Sequence, residues 1–123
     1  MLLRFDFGSS VPIYLQLRNQ VVIAIAEGKL APGEQLPTIR ALAEESGINM
    51  MTVSKAYQLL KQEGYITTDR RSGAVVMPRT DKRALSAESL DALRLCISEL
   101  RLAGVGCEEL LKMCQQMYEE GES

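Results

Sequence analysis

The sequence contains no histidine. Acid–base catalysis by an imidazole and metal ligation by an imidazole are therefore both excluded. A nucleotide-binding glycine loop is missing too, because Gly28-Lys29 lacks the glycine that such a loop places five residues earlier. The neighbouring carboxylates are typical of solvated helix faces rather than of a catalytic dyad; they are Glu44-Glu45, Glu108-Glu109 and Glu119-Glu120. We therefore expect a protein that is not an enzyme and that uses no cofactor.

Cysteine is scarce, with three residues at positions 96, 107 and 114. An odd number without paired short spacings argues against a disulfide framework. Cys107 and Cys114 lie seven residues apart and would share a helix face, so a three-thiolate metal site with Cys96 is one interpretation. The other is that the thiols pack as small hydrophobic groups. We favour packing and expect no bound metal.

Long apolar runs are also missing. The longest candidate, residues 21–26, is far shorter than the roughly 18–20 residues that a membrane span requires. The N-terminal residues lack the basic start and the small-residue cleavage site of a signal peptide. Apolar residues nevertheless make up 46% of the chain, which favours a packed core. We expect a cytoplasmic protein with no membrane partner.

Charge is distributed unevenly along the chain. Residues 1–83 contain 11 Lys/Arg and 8 Asp/Glu, whereas residues 84–123 contain 3 Lys/Arg and 8 Asp/Glu. The first part is therefore mildly basic and the second is acidic. Because DNA repels an acidic surface, we expect the second part to face away from any bound DNA.

The hydrophobic spacing predicts three helices in the first part. The first has an apolar face that recurs every four residues and ends at Gly28; this face is Ile13, Leu17, Val21 and Ile25. Thr38 is a predicted N-cap of a short helix that Gly47 ends, and Asn49 is a predicted N-cap of a longer helix over residues 50–63. A short helix, a glycine-containing turn and a longer helix form a helix-turn-helix, whose second helix fits a DNA major groove.

A β-hairpin and a helical tail are predicted to follow. The β-prone runs 65–68 and 74–77 flank the polar turn 69–73, in which Gly73 tolerates a positive φ. In the tail, apolar residues return to helical spacing and predict a dimerisation surface: Leu90, Leu93, Ile97 and Leu100, then Leu110, Met113 and Met117 after Gly104 and Gly106. The predicted fold class is mainly α with a small β-hairpin: a winged helix-turn-helix (1–78), a linker (79–84) and a two-helix dimerisation tail (85–123).

The start of the second helix of the motif is the predicted reader of base edges, because that end of a recognition helix enters the groove. Its candidate contacts are Asn49, Met50, Met51, Thr52, Ser54 and Lys55. Arg70 and Arg71 at the hairpin tip would reach phosphates or a minor groove. Winged helices also bind proteins, so a protein–protein adaptor without DNA affinity remains the alternative function.

The sequence resembles the GntR family of bacterial transcription regulators between about residues 10 and 77. The resemblance is carried by PIYLQL at 12–17, GKL at 28–30, PGEQLPTIRALA at 32–43, TVSKAYQLL at 52–60 and EG at 63–64. With its brief tail, the chain is similar to the YtrA-like subfamily, whose members carry a two-helix dimerisation tail. The resemblance implies DNA contacts at Arg40, Asn49 and Thr52, and it places Gly73 as the second glycine of the wing tip. An alternative for Arg40 is an exposed charge with no role.

The sequence departs from the family pattern at two places. Met50 and Met51 stand where family members often have arginine, asparagine or threonine, and Arg71 replaces the first glycine of the wing. A thioether packs well on a thymine methyl, but methionine also fills gaps in cores, and both interpretations of Met50 and Met51 stay open. We expect a homodimeric regulator, acting as a repressor, that reads an inverted-repeat operator in double-stranded DNA. The sequence does not identify a small-molecule effector.

Overall fold

The computed structural model describes residues 3–78 and 86–122, without the side chains of 121 and 122. The predicted linker, residues 79–84, lies outside the described residues. The chain divides into two compact units, Met1–Arg79 and Thr80–Ser123.

The first unit is a winged helix-turn-helix, as predicted. Its elements are α1 (Ile13–Ala26), α2 (Ile39–Ser46), α3 (Met50–Gln62), β1 (Ile66–Asp69) and β2 (Gly73–Val76). The third helix ends one residue earlier than predicted. Each strand is displaced by one residue toward the turn, because antiparallel pairing of Asp69 with Gly73 leaves only residues 70–72 in the loop.

Both predicted N-caps are confirmed. The Thr38 hydroxyl accepts a hydrogen bond from the Ala41 amide at 3.0 Å, and the Asn49 side chain accepts one from the Thr52 amide at 3.1 Å. Between them Gly47 ends α2 at φ 71°, a left-handed conformation that glycine adopts without steric cost. These local contacts fix where α2 stops and where α3 starts, and so set the helix-turn-helix angle.

A single core joins these elements. Leu17 and Val21 of α1, Leu42 of α2, and Val53 and Leu60 of α3 are fully buried. The hairpin closes one side of this core, because the inward-facing residues of both strands are buried as well; they are Ile66, Ala74 and Val76. Since α3 packs on α1, α2 and β1, it is the central element of the unit.

A polar clamp ties the end of α3 to α1. The Arg18 guanidinium donates two hydrogen bonds to the Glu63 carboxylate, at 2.8 and 2.9 Å, and lies 5.6 Å from the centre of the Tyr65 ring. The hydrogen bond to Glu63 raises the pKa of Arg18, so the guanidinium stays charged. A bidentate pair of this kind adds directional restraint as well as energy.

Two glutamines of α1 hold the N-terminal segment against that helix. The Gln20 side chain accepts a hydrogen bond from the Arg4 amide and donates one to the Arg4 carbonyl, at 2.9 and 2.6 Å. Gln16, one helical turn earlier, does the same with the backbone of Asp6, both at 2.9 Å. The backbone of the N-terminal segment is therefore bonded to side chains of α1.

The second unit contains α4 (Ala87–Leu102) and α5 (Cys107–Glu122). They meet at a turn in which Gly104 has φ 92° and the Val105 amide donates to the Leu100 carbonyl at 2.9 Å. No residue of α4 is buried, and Leu93 is 54% exposed. Ile97, Leu100, Leu110 and Met113 are partly buried. Within one chain, residues 86–120 include no buried side chain and so form no core of their own.

The expectation that the cysteines pack as small hydrophobic groups is wrong for the single chain. Cys96, Cys107 and Cys114 are all exposed. The expectation required a buried helix face, and over residues 87–120 the single chain has none. In residues 3–78 and 86–122, no three histidine, cysteine or acidic side chains lie close enough to hold a metal ion. Within the same residues, no helix is both long and apolar enough to cross a bilayer.

Tyr57 provides a test of how α3 is anchored. Its hydroxyl donates to the Pro37 carbonyl at 2.8 Å, so Tyr57→Phe should lower the free energy of unfolding by about 0.5–1.5 kcal/mol. Burial raises the pKa of Tyr57 from 10.0 to about 12, so the folded state favours the neutral phenol. That contribution is complete below pH 10 and is lost as the pH rises toward 12.

Urea unfolding at pH 7 and at several values between pH 10 and 12 checks both effects. Wild-type protein should lose stability with pH more steeply than the Phe variant, whereas Tyr118→Phe, at a tyrosine that is 78% exposed, should change neither quantity. Equal stabilities of wild type and Tyr57→Phe at pH 7, with parallel pH profiles, would show that the hydroxyl has no anchoring role.

Candidate nucleic-acid interface

The N-terminal turn of α3 is presented to solvent. Met50 and Met51 are the first two residues of α3, after the Asn49 cap. Met50 is 47% exposed and Met51 is 80% exposed. The alternative in which one of them fills the core is therefore wrong. A large apolar side chain that projects from a polar helix end is available to pack against an apolar ligand group, such as a base methyl.

The next turn of α3 carries polar groups beside these methionines. Thr52 and Ser54 are half-buried, and Lys55 is exposed. The Lys55 ammonium lies 4.1 Å from the centre of the Tyr14 ring of α1, a cation–π distance. Tyr14 thereby restrains the lysine stem and leaves the charge at the surface of the helix that would enter a groove.

Arg40 is the second residue of α2 and is exposed. Within the part of the chain that the structure describes, it forms no ion pair with a carboxylate. Its position near the N-terminus of α2 follows from the Thr38 cap, which fixes the first turn of that helix. An uncompensated guanidinium on the helix preceding the recognition helix is suited to bind an anion.

The tip of the hairpin is organised by Asp69. Its carboxylate accepts hydrogen bonds from the backbone amides of Arg71, at 2.7 Å, and Ser72. The Ser72 and Arg71 amides lower the pKa of Asp69, so the acceptor stays ionised at neutral pH. Gly73 has φ 69°, as the predicted turn requires, and the side chains of Arg70 and Arg71 point outward at an exposed tip.

Sequence reasoning missed a part of the wing that lies far away along the chain. The loop before α2 pairs with the edge of β2 that faces away from β1: the Gly33 amide donates to the Val76 carbonyl and the Leu36 amide to the Ala74 carbonyl, both at 2.8 Å. The Gln35 side chain donates to the Ser72 carbonyl at 2.6 Å. The sequence around Gln35 does not predict this pairing, because Gln35 and Ser72 are 37 residues apart.

The structure brings some of the predicted residues together and leaves others separate. Asn49 contacts Thr52, and Arg71 is bonded through its amide to Asp69. No side-chain hydrogen bond or ion pair among the described residues joins Arg40 to the wing or to the first turn of α3. These cationic and polar groups belong to one folded unit.

Comparison with known proteins gives this arrangement a context. A family model described as bacterial regulatory proteins, gntR family, matches residues 13–76. The HTH-type transcriptional repressor YtrA of Bacillus subtilis (strain 168) is 33% identical over 112 residues, which cover 89% of this chain and 86% of that protein.

Two solved structures are similar along the described fold. A transcriptional antiterminator from Listeria monocytogenes EGD-e has a TM-score of 0.87 and 30% identity, with 100% of this chain and 94% of that chain covered. The DNA-binding domain of AraR in complex with operator ORX1 has a TM-score of 0.55 and 25% identity, with 62% and 95% covered.

The family resemblance expected from the sequence motifs is thus confirmed, and the winged helix-turn-helix fold is common to these structures. Because the family model spans more than half of the chain, and because YtrA matches along most of its own length, this chain belongs to the gntR family of bacterial regulatory proteins.

Proposed function

We propose that the protein binds an operator in double-stranded DNA sequence-specifically, as a homodimer, and represses transcription. The observation that carries this proposal is the exposed first turn of α3, where Met50 and Met51 project to solvent from a helix whose opposite face is buried. A helix held in this way has its base-reading end available to a major groove. The repressor name of the YtrA relative and the operator complex of AraR support the same function.

The contacts divide into two kinds by chemistry. Asn49, Met50, Met51 and Thr52, with Ser54 and Lys55 behind them, would meet base edges and the adjoining backbone. Arg40, Arg70 and Arg71 are exposed cations that would neutralise phosphates, and Gly73 allows the backbone of the wing to approach closely. Base contacts determine which sequence is bound, whereas phosphate contacts determine affinity and register.

The tail supplies the dimer in this proposal. α4 has no buried residue, and apolar side chains of both helices remain exposed: Leu90, Leu93, Leu95, Leu102, Leu111 and Met117. A helical hairpin of this size is too small to hold a stable core by itself. A second copy would cover Leu90, Leu93, Ile97 and Leu100 together with Leu110, Met113 and Met117, and two-fold symmetry is the commonest arrangement.

The proposed organisation follows from these assignments: a DNA-binding domain over residues 1–78, a linker at 79–84 and a dimerisation tail over 85–123. DNA would repel the acidic tail and attract residues 1–83, which contain 11 Lys/Arg and 8 Asp/Glu. Two recognition helices related by a two-fold axis would read an inverted repeat with half-sites about 34–36 Å apart, or a multiple of that spacing.

The second candidate function is a winged-helix adaptor that binds protein and not DNA, since winged helices serve both purposes. A mobility shift on genomic fragments at several salt concentrations separates the two. A DNA-binding protein is retained at low salt and released steeply as salt rises, because each neutralised phosphate releases counterions. An adaptor shows no retention even at low salt.

The first prediction from this proposed function concerns the exposed arginines. Arg40→Ala should weaken operator binding without lowering thermal stability, because it removes an exposed donor and no core group. A lost phosphate contact would lower the salt slope by about one unit, whereas a lost base contact would relax specificity by about 1–3 kcal/mol. Arg70→Ala with Arg71→Ala should act mainly on the salt slope.

Titration of labelled operator at four salt concentrations measures these effects. Lys112→Ala removes an exposed cation from the tail and is the matched control, which should bind as wild type does. If Arg40→Ala binds the operator with wild-type affinity and melts at the wild-type temperature, Arg40 is not part of the interface.

The second prediction concerns the two methionines. Because Met51 is 80% exposed and a thioether packs on a thymine methyl, each half-site should contain a thymine beside the first turn of α3. Replacing that thymine by uracil removes only the methyl group and should weaken binding. Met51→Ala should abolish the difference between the two bases. An operator in which no thymine-to-uracil change alters affinity would refute this contact.

The third prediction concerns the tail. Truncation after Pro78 should leave a folded monomer with mainly non-specific DNA affinity, and Leu93→Glu in the full chain should separate the protomers, because it places a charge within the predicted seam. Ser98→Glu puts the same charge on α4 outside that seam and should leave the dimer intact. Sedimentation at micromolar concentration measures the assembly. A monomeric wild-type chain, or a truncated form that binds the operator as tightly as the whole chain, would exclude the dimer mechanism.

A further inference from the structure

The wing is attached to the rest of its unit along both sides of β2. On one side β2 pairs with β1. On the other side, the loop that precedes α2 pairs with β2, with Gln35 opposite Val75 and a hydrogen bond from the Val76 amide to the Glu34 carbonyl at 2.9 Å. A hairpin of two four-residue strands is at best marginally stable by itself. Besides the burial of Ile66, Ala74 and Val76 in the core, the loop therefore gives the hairpin a third pairing segment.

The Gln35 side chain adds a contact between this loop and the hairpin tip, beyond the end of β2. Its Nε2 donates to the Ser72 carbonyl at 2.6 Å, and it lies 3.8 Å from the position that a Cβ on Gly73 would occupy. Among the described residues, the Asp69 carboxylate and the Gln35 amide are the side-chain groups bonded to the backbone of the tip. Asp69 shapes the turn from within, whereas Gln35 ties the turn to a different part of the chain.

We propose that Gln35 is a positioning residue for the wing: its amide fixes the direction of the tip, and this sets how much Arg70 and Arg71 contribute to DNA affinity. The inference rests on the proposed function, because it assigns a role to the wing in DNA binding. Three residues after Gln35, Thr38 caps α2, the helix that carries Arg40. The loop at residues 33–37 thus connects the wing to the helix-turn-helix. Through Gln35, the position of the wing tip depends on the position of this loop.

Gln35→Met tests this role, because methionine keeps the length and neutrality of the side chain and removes the donor. Operator affinity should fall about 3- to 10-fold, the range that corresponds to one hydrogen bond. In the background of Arg70→Ala with Arg71→Ala, the same change should have no further effect, because the side chains that Gln35 positions are then missing. Gln62→Met, at an exposed glutamine at the end of α3, is the matched control and should be neutral in both backgrounds.

Amide hydrogen exchange of the free protein supplies a readout that does not depend on DNA. The Arg71 and Ser72 amides should exchange faster in Gln35→Met, whereas the amides of α1 and α3 should keep their wild-type rates. A general loss of stability would instead accelerate exchange in the helices as well. Unchanged exchange at the tip overturns the proposed restraint, whether or not the protein binds DNA.

The remaining outcomes separate this inference from the proposed function. Additive losses in the combined variant, or wild-type affinity in Gln35→Met, overturn the coupling between Gln35 and the wing arginines while DNA binding itself stands. Absence of operator binding by the wild type overturns the proposed function and, with it, the role of Gln35 in affinity. If amide exchange is still faster only at the tip in that case, Gln35 restrains the wing but has no role in DNA affinity.

Discussion

The burial of one face of α3 is the constraint on which the rest of the DNA-binding unit depends. Val53, Ala56 and Leu60 are inaccessible to solvent and pack within the common core. Because such cores are close-packed, α3 cannot rotate about its axis without opening cavities or forcing overlaps. The exposure of Met51 and Lys55 is therefore a consequence of what the opposite face buries. The orientation of α3 in the core thus decides which of its side chains are available to a ligand.

Long-range polar contacts then fix the elements around α3. Arg18 and Glu63 hold its C-terminal end to α1, and the Tyr57 hydroxyl holds its middle to the Pro37 carbonyl before α2. The side chains of the ion pair are 22% and 35% exposed, so solvent screening limits their contribution to stability. Their bidentate geometry still restrains direction. Gln35 holds the wing tip to the loop before α2, much as Arg18 holds the end of α3 to α1.

The sequence was most informative where structure is decided locally. The caps Thr38 and Asn49 and the end of α2 at Gly47 were all predicted, because each depends on a few neighbouring residues. Strand limits were displaced by one residue, since register depends on pairing across the turn. Gln35 was missed because its partner Ser72 is distant in sequence, and a glutamine in a polar loop carries no distinguishing pattern.

The tail shows a different limit to prediction. Its helices and their glycine turn were predicted from spacing, yet Cys96, Cys107 and Cys114 are exposed, because the described side chains of α4 and α5 form no buried face in the single chain. The first unit, by contrast, completes its own core.

Under the proposed dimer, the winged domain can fold and contact DNA before assembly, whereas joint binding of two half-sites requires tail pairing. Linking two sites in this way raises the effective concentration of the second contact without adding a new one. Occupancy of the operator would then rise more steeply with protein concentration than the affinity of one domain allows, and the exposed leucines of α4 would set the concentration at which that rise occurs.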